Sequence, residues 1–202
     1  MTEGKKTAAL EIGEQLNWNV PDKVFVGMGD GCIIGGLWKG FCDLKRLGMI
    51  ERLPQMIGVQ SENAPAIVDA ANGDGLVREA AARTIADSIN VGKPRDARKA
   101  IRAIRESGGC GVKVSDGEIV ASIPEIARTT GVFVEPAAGA SFAGFKRMYD
   151  TGAIKPDERV LLVLTGNGLK DADAARRVLK EPFRIRPDFD ELARLIADLD
   201  KP

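Results

Sequence analysis

The sequence predicts an α/β fold in which a mostly parallel, open sheet lies between helices in three layers. Short apolar runs alternate with amphipathic helical stretches along the 202 residues, as expected for repeated βα units. The run VLLVL within residues 158–168 contains no charged side chain, which indicates a strand buried on both faces of a parallel sheet. Ser115, followed three residues later by Glu118, forms a capping-box pattern and marks the start of a helix.

The same alternation predicts the other elements. Helices are predicted over residues 7–18, 33–47, 137–149 and 188–199, with one or two helical turns over 65–71. Strands are predicted over residues 23–26 and 55–60, within GVKVSD at 111–116, and in the run VFVEP. Gly131 ends the helix that begins at Ser115. Clusters of Gly and Pro in ANGDGLVREAAA and NVGKPRD indicate crossings between a larger and a smaller lobe.

Composition narrows the classes of function. Hydrophobic residues make up 44% of the chain, enough for a sizeable core, and 29 basic residues balance 29 acidic ones, which argues against a nucleic-acid partner. No apolar stretch is long enough to span a membrane, and residues 1–16 contain no apolar core of a secretory signal. The three cysteines are too few and too scattered for a disulfide framework or a metal site. We therefore expect a cytoplasmic protein without a metal.

Histidine is absent from the sequence. That absence excludes catalysis by Ser-His-Asp or Cys-His groups and zinc sites built on histidine. Chemistry must come from Lys, Asp, Glu, Ser or Thr side chains, or from a bound cofactor.

A glycine-rich turn follows the first predicted strand, in VFVGMGDGCIIGG. Gly27, Gly29 and Gly31 allow a tight turn whose backbone N–H groups can approach a phosphate, and the helix that follows adds the positive end of its dipole. In parallel sheets such a turn lies at the carboxyl ends of the strands, where ligands bind. The turn is therefore a candidate phosphate site.

Two nucleotide-binding motifs fit this turn poorly. In a dinucleotide G-x-G-x-x-G pattern the third glycine would fall on Cys32 or Ile34, and no Walker-type GKS or GKT follows the glycines. A tight βα turn without a ligand, in which Asp30 caps the helix, remains an alternative from the residues alone.

A second glycine turn, LTGNGLKD, follows the apolar run of residues 158–168 and offers the hydroxyl of Thr165. Two such turns at the ends of parallel strands can face one ligand, one of them holding a phosphate and the other reaching a ring. The alternative is that Thr165 only satisfies a turn, as Thr and Asn often do.

Several stretches, in order along nearly the whole chain, resemble threonine synthase, a pyridoxal-phosphate enzyme of the tryptophan-synthase-β-like (fold type II) superfamily. They are EGKKTAALEIGEQLNWNVPDKVFV, GDGCIIGGLWKGFCDL, RLPQMIGVQSENAPAIVDA, RTIADSINVGKPR, SDGEIVASIPEIARTTGVFVEPAAGASFAG and DERVLLVLTGNGLKD. Serine and threonine dehydratases share TIAD, the EP turn and the glycine loop. The stretches EGKKT, GVQSENAPAIV and LTGNGLKD are more similar to the synthase.

The resemblance implies a role for each matched residue. Backbone N–H groups of the first turn would bind the phosphate of pyridoxal 5′-phosphate, and Thr165 would contact the pyridine nitrogen. A neutral hydroxyl partner leaves that nitrogen less protonated than a carboxylate would. The implied phosphate-binding residues are Gly29, Asp30, Gly31, Cys32 and Ile33. Family members often carry Asn and Gly where this chain has Asp30 and Cys32, and an acidic side chain repels a phosphate unless it points away.

The lysine that forms the Schiff base in this superfamily lies in a Ser-x-Lys-Asp-Arg motif, which this sequence lacks. We therefore expect no catalytic residue in this chain, and residues 1–202 to correspond to the C-terminal portion of the enzyme domain. The lysines in the matched stretches are expected to be solvated or to lie on helix faces; they are Lys5, Lys6, Lys146 and Lys170.

The resemblance implies conversion of O-phospho-L-homoserine and water to L-threonine and phosphate. We expect an amino-acid substrate, no membrane or nucleic-acid partner, and either a homo-oligomer or association with a chain that supplies the N-terminal part. The chain alone is expected to be inactive. The alternatives are a serine/threonine dehydratase relative, a non-catalytic module that binds pyridoxal phosphate or phosphate, and a nucleotide-binding βα domain.

Overall fold

The structure is a computed structural model that describes residues 1–79, 81–179 and 181–199. Within these residues the strands are β1 (Lys23–Gly27), β2 (Gln55–Ser61), β3 (Gly111–Val114) and β4 (Val160–Val163). The helices are α1 (Thr2–Gln15), α2 (Cys32–Arg46), α3 (Ala66–Asn72), α4 (Ala97–Glu106), α5 (Asp116–Thr130), α6 (Pro136–Asp150), α7 (Ala172–Arg176) and α8 (Phe189–Leu199). Short 3-10 helices cover Asp87–Ile89 and Gly168–Asp171.

The four strands form one parallel sheet in the order β3-β2-β1-β4. The chain runs outward from β1 through β2 to β3, then returns to pair β4 with the other side of β1. Lys23 pairs with Gln55 of β2 and with Val160 of β4. An ion pair between buried Lys23 and Glu158 joins the starts of β1 and β4.

Alternation along β1 divides the core into two layers. Val24 and Val26 face a cluster that includes side chains of α1, α2, α3 and α4, whereas Phe25 faces a cluster built with α5 and α6. The sheet therefore lies between two layers of helices, which confirms the predicted three-layer α/β fold. Among the described residues, no helix combines the length and the apolar character that a membrane span needs.

Two strand predictions differ from the structure, one in the burial of the strand and the other in its existence. Val160–Val163 is half-buried along its whole length because β4 lies at an edge of the sheet, with β1 on one side only. The run VFVEP is not a strand: Val134 makes a single antiparallel bridge with Asn167, and Pro136 already begins α6.

Two helices also differ from prediction. Helix α1 begins at Thr2 and ends before Asn17 and Trp18, whose φ angles are 49° and 64°. Helix α4 was not predicted, although its buried residues follow helical spacing in the sequence ARKAIRAIRE. Its frequent Arg and Lys side chains obscured that pattern. The predicted crossing ANGDGLVREAAA includes Ala80, which lies outside the described residues.

Candidate functional site

The two glycine turns lie at the point where the order of the strands reverses. The first turn follows β1 and the second follows β4, and these neighbouring parallel strands end at the same edge of the sheet. Ligands of open α/β sheets bind in the crevice outside the carboxyl ends of the strands at such a reversal.

The first turn is held by contacts with α4 and with the segment before it. Gly31 has φ 88°, a left-handed conformation that favours glycine, and a Cβ there would lie 2.8 Å from Cβ of Ala100. The Asp30 carbonyl accepts the N–H of Asp96 at 3.0 Å, and Oδ1 of Asp30 accepts the N–H of Arg95 at 2.9 Å. The acidic side chain is therefore bonded to the segment before α4 and does not cap α2.

The backbone N–H groups of this turn form a row of donors. Met28 donates to Val59, and Gly35 is the next residue whose N–H donates to a backbone carbonyl, that of Gly31. Within the described residues, no N–H of residues 29–34 has an acceptor. The first turn of α2 carries no acidic residue. Free donors at a helix N-terminus suit an anion, and these donors are the observation in the structure that fits a cofactor phosphate.

Asp96 connects the turn to two helices. Its carboxylate accepts hydrogen bonds from Sγ of Cys32 at 2.8 Å, from Oγ1 of Thr2 at 2.7 Å and from Nζ of Lys99 at 2.6 Å. These donors, Cys32 foremost, hold the pKa of Asp96 well below its usual range. Burial and the neighbouring Asp96 carboxylate raise the pKa of the Cys32 thiol, so Cys32 is a structural donor rather than a thiolate nucleophile.

The second turn is held by the segment before α6. The carbonyl of Gly166 accepts the N–H of Glu135 at 3.0 Å, and the N–H of Gly168 donates to the carbonyl of Phe133 at 3.0 Å. A Cβ at residue 166 would lie 2.0 Å from Oε1 of Glu135, so the glycine allows the carboxylate to pack directly against the turn. These contacts fix the position of Thr165, whose side chain is exposed.

One cavity of about 240 Å³ joins the two turns. Its lining includes all six residues expected to bind the cofactor, namely Gly29, Asp30, Gly31, Cys32, Ile33 and Thr165. Its volume is just below the range of small-molecule sites, and the exposure of Thr165 leaves one side open to solvent. The described residues thus form one wall of a candidate ligand site.

The cavity also contains an ion pair that the sequence did not reveal. Glu135 is only 5% exposed, and its Oε2 accepts a hydrogen bond from Oγ of Ser88 at 3.1 Å and lies 3.0 Å from Nζ of Lys170. Lys170 also donates to Oγ of Ser88. Lys170 is solvent-exposed as expected, but its ammonium is engaged by a buried carboxylate. In the sequence Glu135 belongs to the EP turn that the chain shares with dehydratases, and nothing marked Glu135 or Lys170 as a site residue or as partners.

The other lysines of the matched stretches differ in position. Lys5 is exposed and lines the cavity, Lys6 pairs with Asp43 at 2.9 Å, and Lys146 pairs with Glu125 at 3.0 Å outside the cavity. Lys6 and Lys146 therefore have surface roles.

Comparison with known proteins gives a consistent family. A protein-family model with the description "pyridoxal-phosphate dependent enzyme" matches residues 1–166 of this chain. Threonine synthase of Methanocaldococcus jannaschii is 43% identical over 199 residues, which are 98% of this chain and 49% of that protein. Threonine synthase of Methanosarcina acetivorans is 39% identical over 196 residues, 96% of this chain and 48% of that protein. The chain thus spans about half the length of the curated relatives it matches.

Solved structures share the fold at low identity. A fungal L-serine ammonia-lyase from Rhizomucor miehei superposes with a TM-score of 0.69 at 20% identity, over 89% of this chain and 56% of that one. The processed form of threonine deaminase isoform 2 from Solanum lycopersicum gives 0.66 at 19% identity, over 96% and 48%. At these identities the likeness supports the fold alone.

Proposed function

The chain belongs to the family of pyridoxal-phosphate-dependent enzymes, and from that premise we propose that it forms the cofactor-binding part of a threonine-synthase-type lyase. The proposed reaction converts O-phospho-L-homoserine and water to L-threonine and phosphate. One observation carries the proposal: the free N–H groups after β1 and the hydroxyl of Thr165 after β4 line one cavity. The 43% identity to a threonine synthase supports this reaction over that of other family members.

The phosphate end of the site would be held without a side-chain cation in the turn. The N–H groups of Gly29, Asp30, Gly31, Cys32 and Ile33 would donate to the phosphate oxygens, and the dipole of α2 would stabilise their negative charge. Asp30 is compatible with this role because its Oδ1 already accepts the N–H of Arg95. The turn would orient the cofactor because it is fixed from behind by Asp96.

The ring end would be held by Thr165. Its hydroxyl would donate a hydrogen bond to the pyridine nitrogen, and this bond would favour the unprotonated form of the nitrogen. The bound cofactor supplies an electron sink for a carbanion formed on the amino-acid substrate. A neutral partner at the pyridine nitrogen makes the ring a weaker electron acceptor than a carboxylate partner would. A weaker acceptor suits elimination and replacement at the substrate's β and γ carbons.

We propose that the lysine that holds the cofactor covalently comes from a segment outside these residues. The half-buried edge at Val160–Val163 and the open side of the cavity at Thr165 are surfaces on which such a segment could pack. The complete protein would then act as a cytoplasmic enzyme, either as a homo-oligomer or with a second chain.

Reconstitution tests the proposal. The chain would be co-expressed with the first half of the Methanocaldococcus jannaschii threonine synthase, and release of phosphate and formation of threonine from O-phospho-L-homoserine would be measured. We expect turnover from the pair and none from either part alone. A matched first half with alanine in place of the Schiff-base lysine should assemble but remain inactive. Threonine formation by this chain alone would contradict the proposal.

The same proteins, assayed with other substrates and by spectral titration, separate the competing functions. Formation of a 2-oxoacid and ammonia from serine or threonine, without activity on O-phospho-L-homoserine, would indicate a dehydratase. Cofactor binding with no turnover in any reconstituted pair would indicate a non-catalytic binding module. Binding of NAD in preference to pyridoxal phosphate in a spectral titration would indicate a nucleotide-binding domain.

A further inference from the structure

The ion pair between Glu135 and Lys170 lies beside the second glycine turn, which carries Thr165. Glu135 and Lys170 line the same cavity as Thr165. The Glu135 carboxylate packs against Gly166, the residue after Thr165, since a Cβ there would meet Oε1 at 2.0 Å. A buried carboxylate therefore packs against the residue that follows Thr165, whose hydroxyl is assigned to the nitrogen.

A carboxylate in that position would favour a protonated pyridine, since an opposite charge nearby stabilises the charged form of a base. Thr165 offers a hydroxyl, which donates best to an unprotonated nitrogen. The two groups would therefore oppose each other if Glu135 had no compensating charge. Lys170 supplies that charge, with Nζ 3.0 Å from Oε2 of Glu135.

We propose that Lys170 neutralises Glu135 and thereby keeps the ring nitrogen of the bound cofactor unprotonated, so that Thr165 can donate to it. Lys170 is a positioning and charge-balancing residue in this proposal, not a covalent anchor. Ser88 completes the arrangement, because it donates to Oε2 of Glu135 and accepts from Lys170, which holds both charges in place. The inference rests on the proposed cofactor site.

The other titratable groups of the cavity lining lie on elements other than the second turn and the segment before α6. Lys5 belongs to α1, Asp30 to the turn after β1 and Cys32 to the start of α2, at the proposed phosphate end. Asp87, beside Ser88, and Asp171, which caps α7 by accepting the N–H of Ala174 at 3.1 Å, are outside the lining. The titratable groups of the lining are the Met1 amino group, Lys5, Asp30, Cys32, Glu135 and Lys170.

The test measures ring protonation without any covalent chemistry. Pyridoxine 5′-phosphate has the ring and phosphate of the cofactor but no aldehyde, so its binding needs no lysine. Its absorption band differs between protonated and unprotonated nitrogen, and the full chain with the bound probe would be titrated with acid and base. The readout is the pH midpoint of the bound ring nitrogen.

The two partners should act in opposite directions. Lys170→Met leaves Glu135 uncompensated and should raise the midpoint by about one pH unit. Glu135→Gln leaves Lys170 uncompensated and should lower it by about the same amount. The double variant and Lys170→Arg should lie near the wild-type value. The control Lys146→Met makes the same charge change at a pair outside the cavity and should not move the midpoint.

A merely structural role would weaken probe binding in both single variants without opposite shifts, and that result would overturn the inference while leaving the proposed cofactor site standing. Failure of the wild-type chain to bind the probe would overturn both. If Glu135→Gln does not fold, the exposed Lys170→Met and Lys170→Arg variants decide the matter: a midpoint that Lys170→Met leaves unchanged contradicts the proposal.

Discussion

Sγ of Cys32 donates a hydrogen bond to Oδ2 of Asp96 at 2.8 Å, which ties the first residue of α2 to the N-cap of α4. Thr2 donates to the same oxygen at 2.7 Å, so the starts of three helices meet at one carboxylate behind the candidate phosphate turn. The ionised form of Asp96 is thus a structural element of the site.

Asp96→Asn should destabilise the chain most near neutral pH. The donors depress the pKa of Asp96 in the folded state, so its stabilising effect is fully present above the unfolded pKa of about 3.9 and is lost as the pH falls further. We expect a loss of about 1–3 kcal/mol in the free energy of unfolding at about pH 6, which shrinks below about pH 4. Urea unfolding across this range measures it.

Asp173→Asn is the control for that experiment. Asp173 forms an ion pair with Arg176 at 2.8 Å, and both side chains are highly exposed. Its substitution should change the free energy of unfolding by less than about 1 kcal/mol. An Asp96→Asn variant that is as stable as wild type at neutral pH would show that Cys32 and Thr2 find other acceptors.

Gly31→Ala should damage both stability and phosphate binding. The left-handed backbone costs about 1–2 kcal/mol for alanine, and the added Cβ would also press on Ala100. Gly48→Ala is matched, because Gly48 has φ 71° but no atom within 4 Å of a new Cβ. We expect Gly31→Ala to lower the melting temperature more than Gly48→Ala, and to be the only one of the two that weakens binding of pyridoxine 5′-phosphate. Equal effects on binding would contradict the assignment of the turn.

Thr165→Val should weaken binding of pyridoxine 5′-phosphate about tenfold, because valine has a similar shape but no hydroxyl to donate to the ring nitrogen. Thr165→Ser keeps the hydroxyl and should bind nearly as wild type does. Thr151→Val is the control, since Thr151 lies outside the cavity at the C-terminal end of α6, where its Oγ1 donates a hydrogen bond to the carbonyl of Arg147 at 3.0 Å. Fluorescence titration of the probe gives the Kd values. Unchanged affinity in Thr165→Val would remove Thr165 from the site.

The isolated chain should self-associate through its exposed apolar tail. Helix α8 has no buried residue, and Phe189 and Ile196 on it are 85% and 50% exposed. Replacing both residues by serine should lower the molar mass measured by light scattering toward that of the monomer. Each replacement removes apolar surface that is otherwise exposed to water. Arg194→Ser on the same helix should have no such effect. A wild-type chain that is monomeric at high concentration would contradict this expectation.

Much of the fold could be predicted from local sequence. The capping box of Ser115 and Glu118 forms as expected, with the N–H of Glu118 donating to Oγ of Ser115 at 3.2 Å. The apolar runs of β1 and β2 were correctly identified because a strand buried in a parallel sheet needs continuous apolar residues. The same rule was wrong for the burial of β4, since an apolar run does not indicate whether a strand has neighbouring strands on both sides or on one side only.

The sequence by itself determined which residues turn tightly and which donors they can offer, because glycine spacing, the Thr165 hydroxyl and the helix that follows β1 are local properties of the chain. Only the tertiary structure decided that the turns after β1 and β4 face one cavity, since that depends on β4 pairing with β1 rather than with β3. It also decided that Asp30 bonds Arg95 and that Lys170 balances Glu135. Asp30 and Arg95 are 65 residues apart in the sequence, and Glu135 and Lys170 are 35 residues apart. Such partners come together only when the sheet has formed, and their separation in the sequence does not indicate that they will be in contact.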